Sequence, residues 1–133
     1  MIVYLDSMIV IDLVEGPDPF RTQARDRLDQ LVAAGDQAAI SDLTRLECRV
    51  KPIRLGDAAL LADYDAFFAS PDLLRFGLPA PVFDRATEIR AQHGFRLADS
   101  LNLAAAVEHA CGRFLTNDAQ LRRFPDITVE VLA

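Results

Sequence analysis

At 133 residues the chain falls in the usual range for one domain, so separate cofactor and substrate halves are not expected. Its 51% apolar content excludes a disordered chain, and no window approaches the ~20 consecutive apolar residues that span a bilayer. A formal charge of −6 repels polyanions, so any work on nucleic acid needs local positive charge from a cation or from the thirteen arginines that accompany the single Lys51.

Residues 1–5, MIVYL, form an apolar, β-branched run that stops at Asp6, as a buried parallel strand does at its carboxyl end. The first ten residues lack the basic segment of a secretion signal and carry Asp6 in their middle, so they read as a strand. Residues 8–15 suggest a short helix or turn stopped by Gly16 and Pro17. From Pro19 to Ala34, Ala24, Leu28, Leu31 and Val32 share one helical face, and Gly35 ends the helix.

A second strand is predicted over Gln37–Ile40, with Ser41 as N-cap of a helix DLTRLECRV that carries Glu47. KPIRLG reads as a break. A further helix follows from Asp57 to Ala69, with Leu60, Leu61, Tyr64, Phe67 and Phe68 in a broad apolar stripe. Leu73–Phe76 reads as a third strand, and Val82, Phe83, Ala86 and Ile89 set a helix from Pro79 to His93.

The stretch ADSLNLAAAVEHACG shows water only a narrow strip, so it is expected to be a mostly buried helix starting at or near Asp99. Strands at Arg113–Leu115, breaking into Thr116, Asn117 and Asp118, and at Ile127–Val131 complete the pattern. The alternation predicts an α/β domain with a mainly parallel sheet.

Sites in open parallel sheets form beyond the carboxyl ends of strands, where Asp6 and Asp118 stand. Asp99 heads a buried helix and Glu47 lies on the helix after the second strand, so all four acids can reach one crevice. Singly, each aspartate is an ordinary cap and Glu47 an ordinary helix-surface residue. Together they pose an electrostatic problem: each pair about 4 Å apart costs roughly 4 kcal/mol at an effective dielectric near 20. A hard divalent cation, Mg²⁺ with Mn²⁺ as a substitute, relieves that repulsion and prefers carboxylates to imidazole or thiolate. Such an ion also lowers the pKa of a water it binds and neutralises phosphoryl charge, which suits phosphodiester hydrolysis.

MIVYLDS, SDLTRLE and LADSLNLAAAVEHACGRFLTND, with the overall length, resemble PIN-domain ribonucleases, especially the VapC-like toxins of bacterial toxin–antitoxin pairs. The resemblance spans nearly the whole chain and implies one PIN-like domain over residues 1–133, a three-layer sandwich with a central, mainly parallel sheet flanked by helices. It matches the family's catalytic and metal-holding acids to Asp6, Glu47, Asp99 and Asp118, and its small hydroxyl neighbours to Ser7 and Thr116. Met8 departs from the small polar residue usual there. The implied activity is Mg²⁺-dependent endoribonuclease cleavage leaving 5′-phosphate and 3′-hydroxyl ends. The implied partners are RNA, a second copy of the chain, and a cognate antitoxin that covers the crevice, with the apolar residues between Leu60 and Phe68 as one surface for it. A catalytically silent binding module of the same fold remains the alternative.

Other chemistries fit less well. A phospho-acceptor receiver needs a late lysine where this chain has FLTND, and a dehalogenase-type phosphatase needs a second acid where it has Met8. Cys48 and Cys111 form no CxxC, and only His93 and His109 supply imidazole, so a thiolate or histidine zinc site lacks ligands. Two isolated thiols fit a cytoplasmic protein. Arg45, Arg49, Arg96 and Arg113 are candidates for phosphate contacts. Asn102, expected on the exposed strip of its helix, and Asn117, at a turn, stay outside the core set.

Overall fold

In the computed structural model, which describes residues 1–132, five strands alternate with six helices. The strands are β1 (Ile2–Leu5), β2 (Gln37–Ser41), β3 (Leu73–Phe76), β4 (Arg113–Thr116) and β5 (Thr128–Val131). The helices are α1 (Ser7–Glu15), α2 (Phe20–Ala33), α3 (Asp42–Leu55), α4 (Ala58–Phe68), α5 (Ala80–His93) and α6 (Leu97–Glu108). A short 3-10 turn at Ala119–Arg123, which the sequence pattern does not announce, follows β4.

All five strands are parallel, in the order β3-β2-β1-β4-β5. The chain builds outward from β1 through β2 to β3, then returns through α5 and α6 to lay β4 on the other side of β1. Connections leaving β1 and β4 therefore part in opposite directions, which opens a crevice at the carboxyl ends of those two strands.

Side chains alternate across the central strands as the period of a strand requires. Tyr4 and Phe114, stacked with centroids 5.5 Å apart, face a core built with Val82, Ala86 and Ile89 of α5 and Leu103 of α6. Val3, Leu5, Ile40 and Leu115 face a second core with Ile9 and Val10 of α1, Leu31 of α2, Cys48 of α3 and Tyr64 and Phe68 of α4. The sheet is thus the middle of three layers. No helix among the described residues is long and apolar enough to cross a membrane.

Helix α3 shows why KPIRLG is not a break. Pro52 lies inside the helix, buried, and removes one backbone donor only in the final turn. The helix closes at Gly56 in the left-handed region, where the N–H groups of Gly56 and Asp57 return to the carbonyls of Ile53 and Pro52. Its start follows expectation: Ser41 Oγ accepts from the Leu43 N–H, and Thr44 Oγ1 accepts from the Ser41 N–H.

Two residues assigned to core faces lie outside. Val32 is 65% exposed and Phe83 51% exposed, because Leu31 and Ala86 already fill the positions their helices turn toward the sheet. Helix α6 is buried on all sides from Ser100 to Ala106, and its alanines allow the close approach this requires. It begins at Leu97, which sets Asp99 in the first turn.

Phe114 lies in a full interior, so Phe114→Ala is expected to cost about 3–5 kcal/mol, while Val32→Ala changes stability by less than about 0.5 kcal/mol. Urea denaturation of the two variants measures both.

Candidate functional site

Asp6 stands where β1 ends and α1 begins, and serves as the N-cap of α1. Its backbone N–H donates to the Leu115 carbonyl at 2.9 Å, pinning it beside β4. Its carboxylate accepts from the Ser7 N–H at 2.8 Å and from the Thr116 hydroxyl at 2.7 Å. The same Thr116 oxygen accepts from the Asp118 N–H at 3.0 Å, so one hydroxyl ties the first acid to the last across the sheet.

Glu47 comes from the second turn of α3. Its Oε1 accepts from the Ser7 hydroxyl at 2.7 Å and from Asn102 Nδ2 at 3.2 Å. Asp99, in the first turn of α6, accepts from Arg96 Nε at 3.1 Å. Asp118 caps the 3-10 turn through the Gln120 N–H at 2.9 Å. Asp99 and Asp118 line one cleft with Phe95, Arg96, Gln120 and Arg123.

Burial and the nearby negative charges of Asp99 and Glu47 push the Asp6 carboxyl up to about 6, against the opposing bonds from Thr116 and Ser7. Asp6, Asp99 and Glu47 are therefore close enough for charge to be felt between them. The four acids are not drawn into one knot: among the described residues, no three Asp, Glu, His or Cys side chains form a group ready to enclose an ion. Each carboxylate is turned toward a protein donor. The donor chemistry fits a hard divalent cation, since the crevice offers carboxylate and hydroxyl oxygens around a buried acid that forms no salt bridge among the described residues.

Asn102 corrects the sequence expectation. It is 1% exposed, not on a wetted strip, because α6 is covered on that side by β1 and α3. The Tyr4 hydroxyl donates to Asn102 Oδ1 at 2.6 Å and lies 2.8 Å from Ser41 Oγ, so a buried polar chain runs from β2 through β1 and α6 to Glu47. The available sequence signal was spacing: Asp99 and Asn102 are three apart and share a helix face. Asn117 also has a definite partner, donating from Nδ2 to the buried Asp12 at 2.5 Å.

The remaining candidates separate cleanly. Of the four arginines, Arg96 stands in the crevice. Arg113 lies at the opposite, amino end of β4 and pairs with Glu130, while Arg49 pairs with Asp65. Cys48 and Cys111 are unpaired and buried, and burial pushes their thiols up to about 12 and about 11, which removes them as nucleophiles near neutrality. His93 stacks beside Phe95, and His109 stacks on Phe76.

Comparison with known proteins follows the fold. The family model for the PIN domain matches residues 3–127. The VapBC2 complex of Rickettsia felis, bound to a promoter DNA fragment, has a chain that superposes with a TM-score of 0.81 at 21% identity, covering 100% of both chains. A chain of the DNA-bound VapBC complex of Salmonella typhimurium gives 0.80 at 18% identity, covering 100% of this chain and 99% of that one. VapC20 of Mycobacterium tuberculosis, a sarcin–ricin loop cleaving toxin, gives 0.68 at 15% identity, covering 84% of this chain and 86% of its own. No curated protein matches the chain by sequence.

The raised Asp6 carboxyl has a signed consequence for stability. Between about pH 4 and about pH 6 the folded state holds this proton after the unfolded state has lost it, so the Asp6 contribution to stability falls as pH rises through that window and is constant above it. In EDTA, Asp6→Asn is expected to gain on the wild type by on the order of 2 kcal/mol between those limits, read by urea denaturation at stepped pH.

Proposed function

The chain belongs to the PIN domain family, and from that membership we propose that it is a divalent-cation-dependent endoribonuclease and the toxin of a toxin–antitoxin pair. The observation that supports the reading is the linkage around Asp6: Ser7 bonds both Asp6 and Glu47, Thr116 bonds both Asp6 and the Asp118 backbone, and Asp99 is near enough to help raise the Asp6 carboxyl.

In this reading the four acids hold Mg²⁺, with Mn²⁺ as a substitute. An ion held there would supply an activated water and neutralise charge on the phosphodiester oxygens. The chain's own work is positional. Thr116 and the Ser7 N–H fix the two oxygens of Asp6, while Ser7 Oγ and Asn102 fix Glu47, so the acids are oriented before any ligand arrives. Burial of Asp6 raises the energetic gain from an incoming positive charge.

The substrate class is RNA, cut to 5′-phosphate and 3′-hydroxyl ends. A cognate antitoxin is the inhibitor, supported by the occurrence of the similar folds in VapBC and other toxin–antitoxin complexes. A homodimer is the working assembly, and the cytoplasm, where two unpaired buried thiols stay reduced, is the compartment. The engagement of every carboxylate by a protein donor favours the second reading, a catalytically silent binding module.

A mixed RNA pool incubated with purified protein separates them. Cleavage in Mg²⁺, loss in EDTA, and a fall of about 100-fold or more in Asp6→Asn and Glu47→Gln are expected, each corresponding to about 2.7 kcal/mol of transition-state stabilisation. Mg²⁺ should also raise the melting temperature of the wild type and not of Asp6→Asn. Cleavage indifferent to EDTA and to both substitutions overturns the metal mechanism, and no cleavage of any RNA leaves the binding module.

A further inference from the structure

The crevice carries two arginines whose settings differ. Arg123 is held in place: its guanidinium lies 4.6 Å from the Phe95 ring centroid, with Nε 3.3 Å from the Gln120 carbonyl and Nη1 3.4 Å from the His93 carbonyl. Among the described residues it forms no salt bridge, and it lines a cleft of about 350 Å³ with Asp118 and Asp99. Arg96 is the opposite case. Its side chain is 82% exposed and attached only to Asp99, itself 14% exposed, through one Nε contact of 3.1 Å.

Arg96 is itself largely exposed and holds Asp99 through a single contact, so it can leave at small cost. Any cation that takes Asp99 competes with the guanidinium for the same carboxylate and repels it. Arg96 and Arg123 line the same cleft, and a guanidinium released from Asp99 is a good match for a phosphate oxygen. The need is real in a chain whose net charge is −6.

We propose that Arg96 is an exchangeable counter-ion: it neutralises Asp99 until a divalent cation binds, and is then released to join Arg123 in holding an RNA backbone phosphate at the rim of the crevice. The inference rests on the metal-dependent reading above and goes beyond it by assigning a phosphate subsite and a coupling between cation and substrate. Because Arg96 competes with the cation and assists the RNA, its removal acts on the two ligands with opposite sign, which a purely structural role does not do.

Calorimetric titration of Mn²⁺ into RNA-free protein tests the first half. Arg96→Gln is expected to bind Mn²⁺ roughly two- to fivefold more tightly than the wild type, and Arg122→Gln, an exposed change one residue from Arg123, to match the wild type. The second half is read as KM for single-stranded RNA in Mn²⁺ across a salt series. Arg96→Gln should raise KM and reduce the salt slope by about 1, and Arg96→Lys should restore the slope. Unchanged or weaker Mn²⁺ binding in Arg96→Gln, or an unchanged KM, overturns the exchange while the nuclease reading stands. A wild type that takes up no Mn²⁺ removes the nuclease reading and this inference together.

Discussion

The structure turns on a buried carboxylate at the end of its central strand. Asp6 is 7% exposed and feels two further acids, a placement that costs stability in the absence of a positive charge. The surrounding polar groups answer that cost locally. Thr116 and the Ser7 N–H donate to Asp6, Ser7 and Asn102 donate to Glu47, and Arg96 donates to Asp99. Hydrogen bonds of this kind moderate the repulsion without abolishing it, since Asp6 still titrates near 6. The residual imbalance is what makes a doubly charged ion a stabilising ligand for this fold.

Keeping those groups in place requires rigidity behind them. The Tyr4 hydroxyl sits between Asn102 and Ser41 while its ring stacks on Phe114, so one residue serves the apolar core and the polar chain leading to Glu47. Burial pushes the Tyr4 phenol well above its ordinary range, which keeps it a neutral donor at any physiological pH. Helix α6 presses close enough to complete this chain because Ala104, Ala105 and Ala106 leave its backbone room against the sheet. Packing and site geometry are here the same contacts viewed from two sides.

The rim of the crevice follows a different logic from its floor. On the floor, donors are short and buried; at the rim, an exposed Arg96 is singly bonded to Asp99. Strongly fixed groups define where charge is needed, and loosely fixed ones can be exchanged for a ligand. Arg49 and Arg113, bound to Asp65 and Glu130 away from the crevice, are committed to the protein's own surface.

Much of this was legible in the residue order. Strand ends at Asp6 and Thr116, the Ser41 cap and the burial of α6 are written in runs of neighbouring residues, because periodicity and capping act over a few positions. Local rules also misled: Pro52 looked like a terminus although its helix closes four residues later at Gly56, and Val32 and Phe83 matched a core period although other residues fill the core. What only the tertiary structure decided was partnership. The bond from Tyr4 to Asn102 joins positions 98 apart, and that from Thr116 to Asp6 positions 110 apart. Such pairings depend on strand order and on which face of α6 meets the sheet, and neither is encoded in any short window. Residue type and local spacing determined which groups carry charge; the parallel packing of β1 against β4 determined which of those charges must share one space.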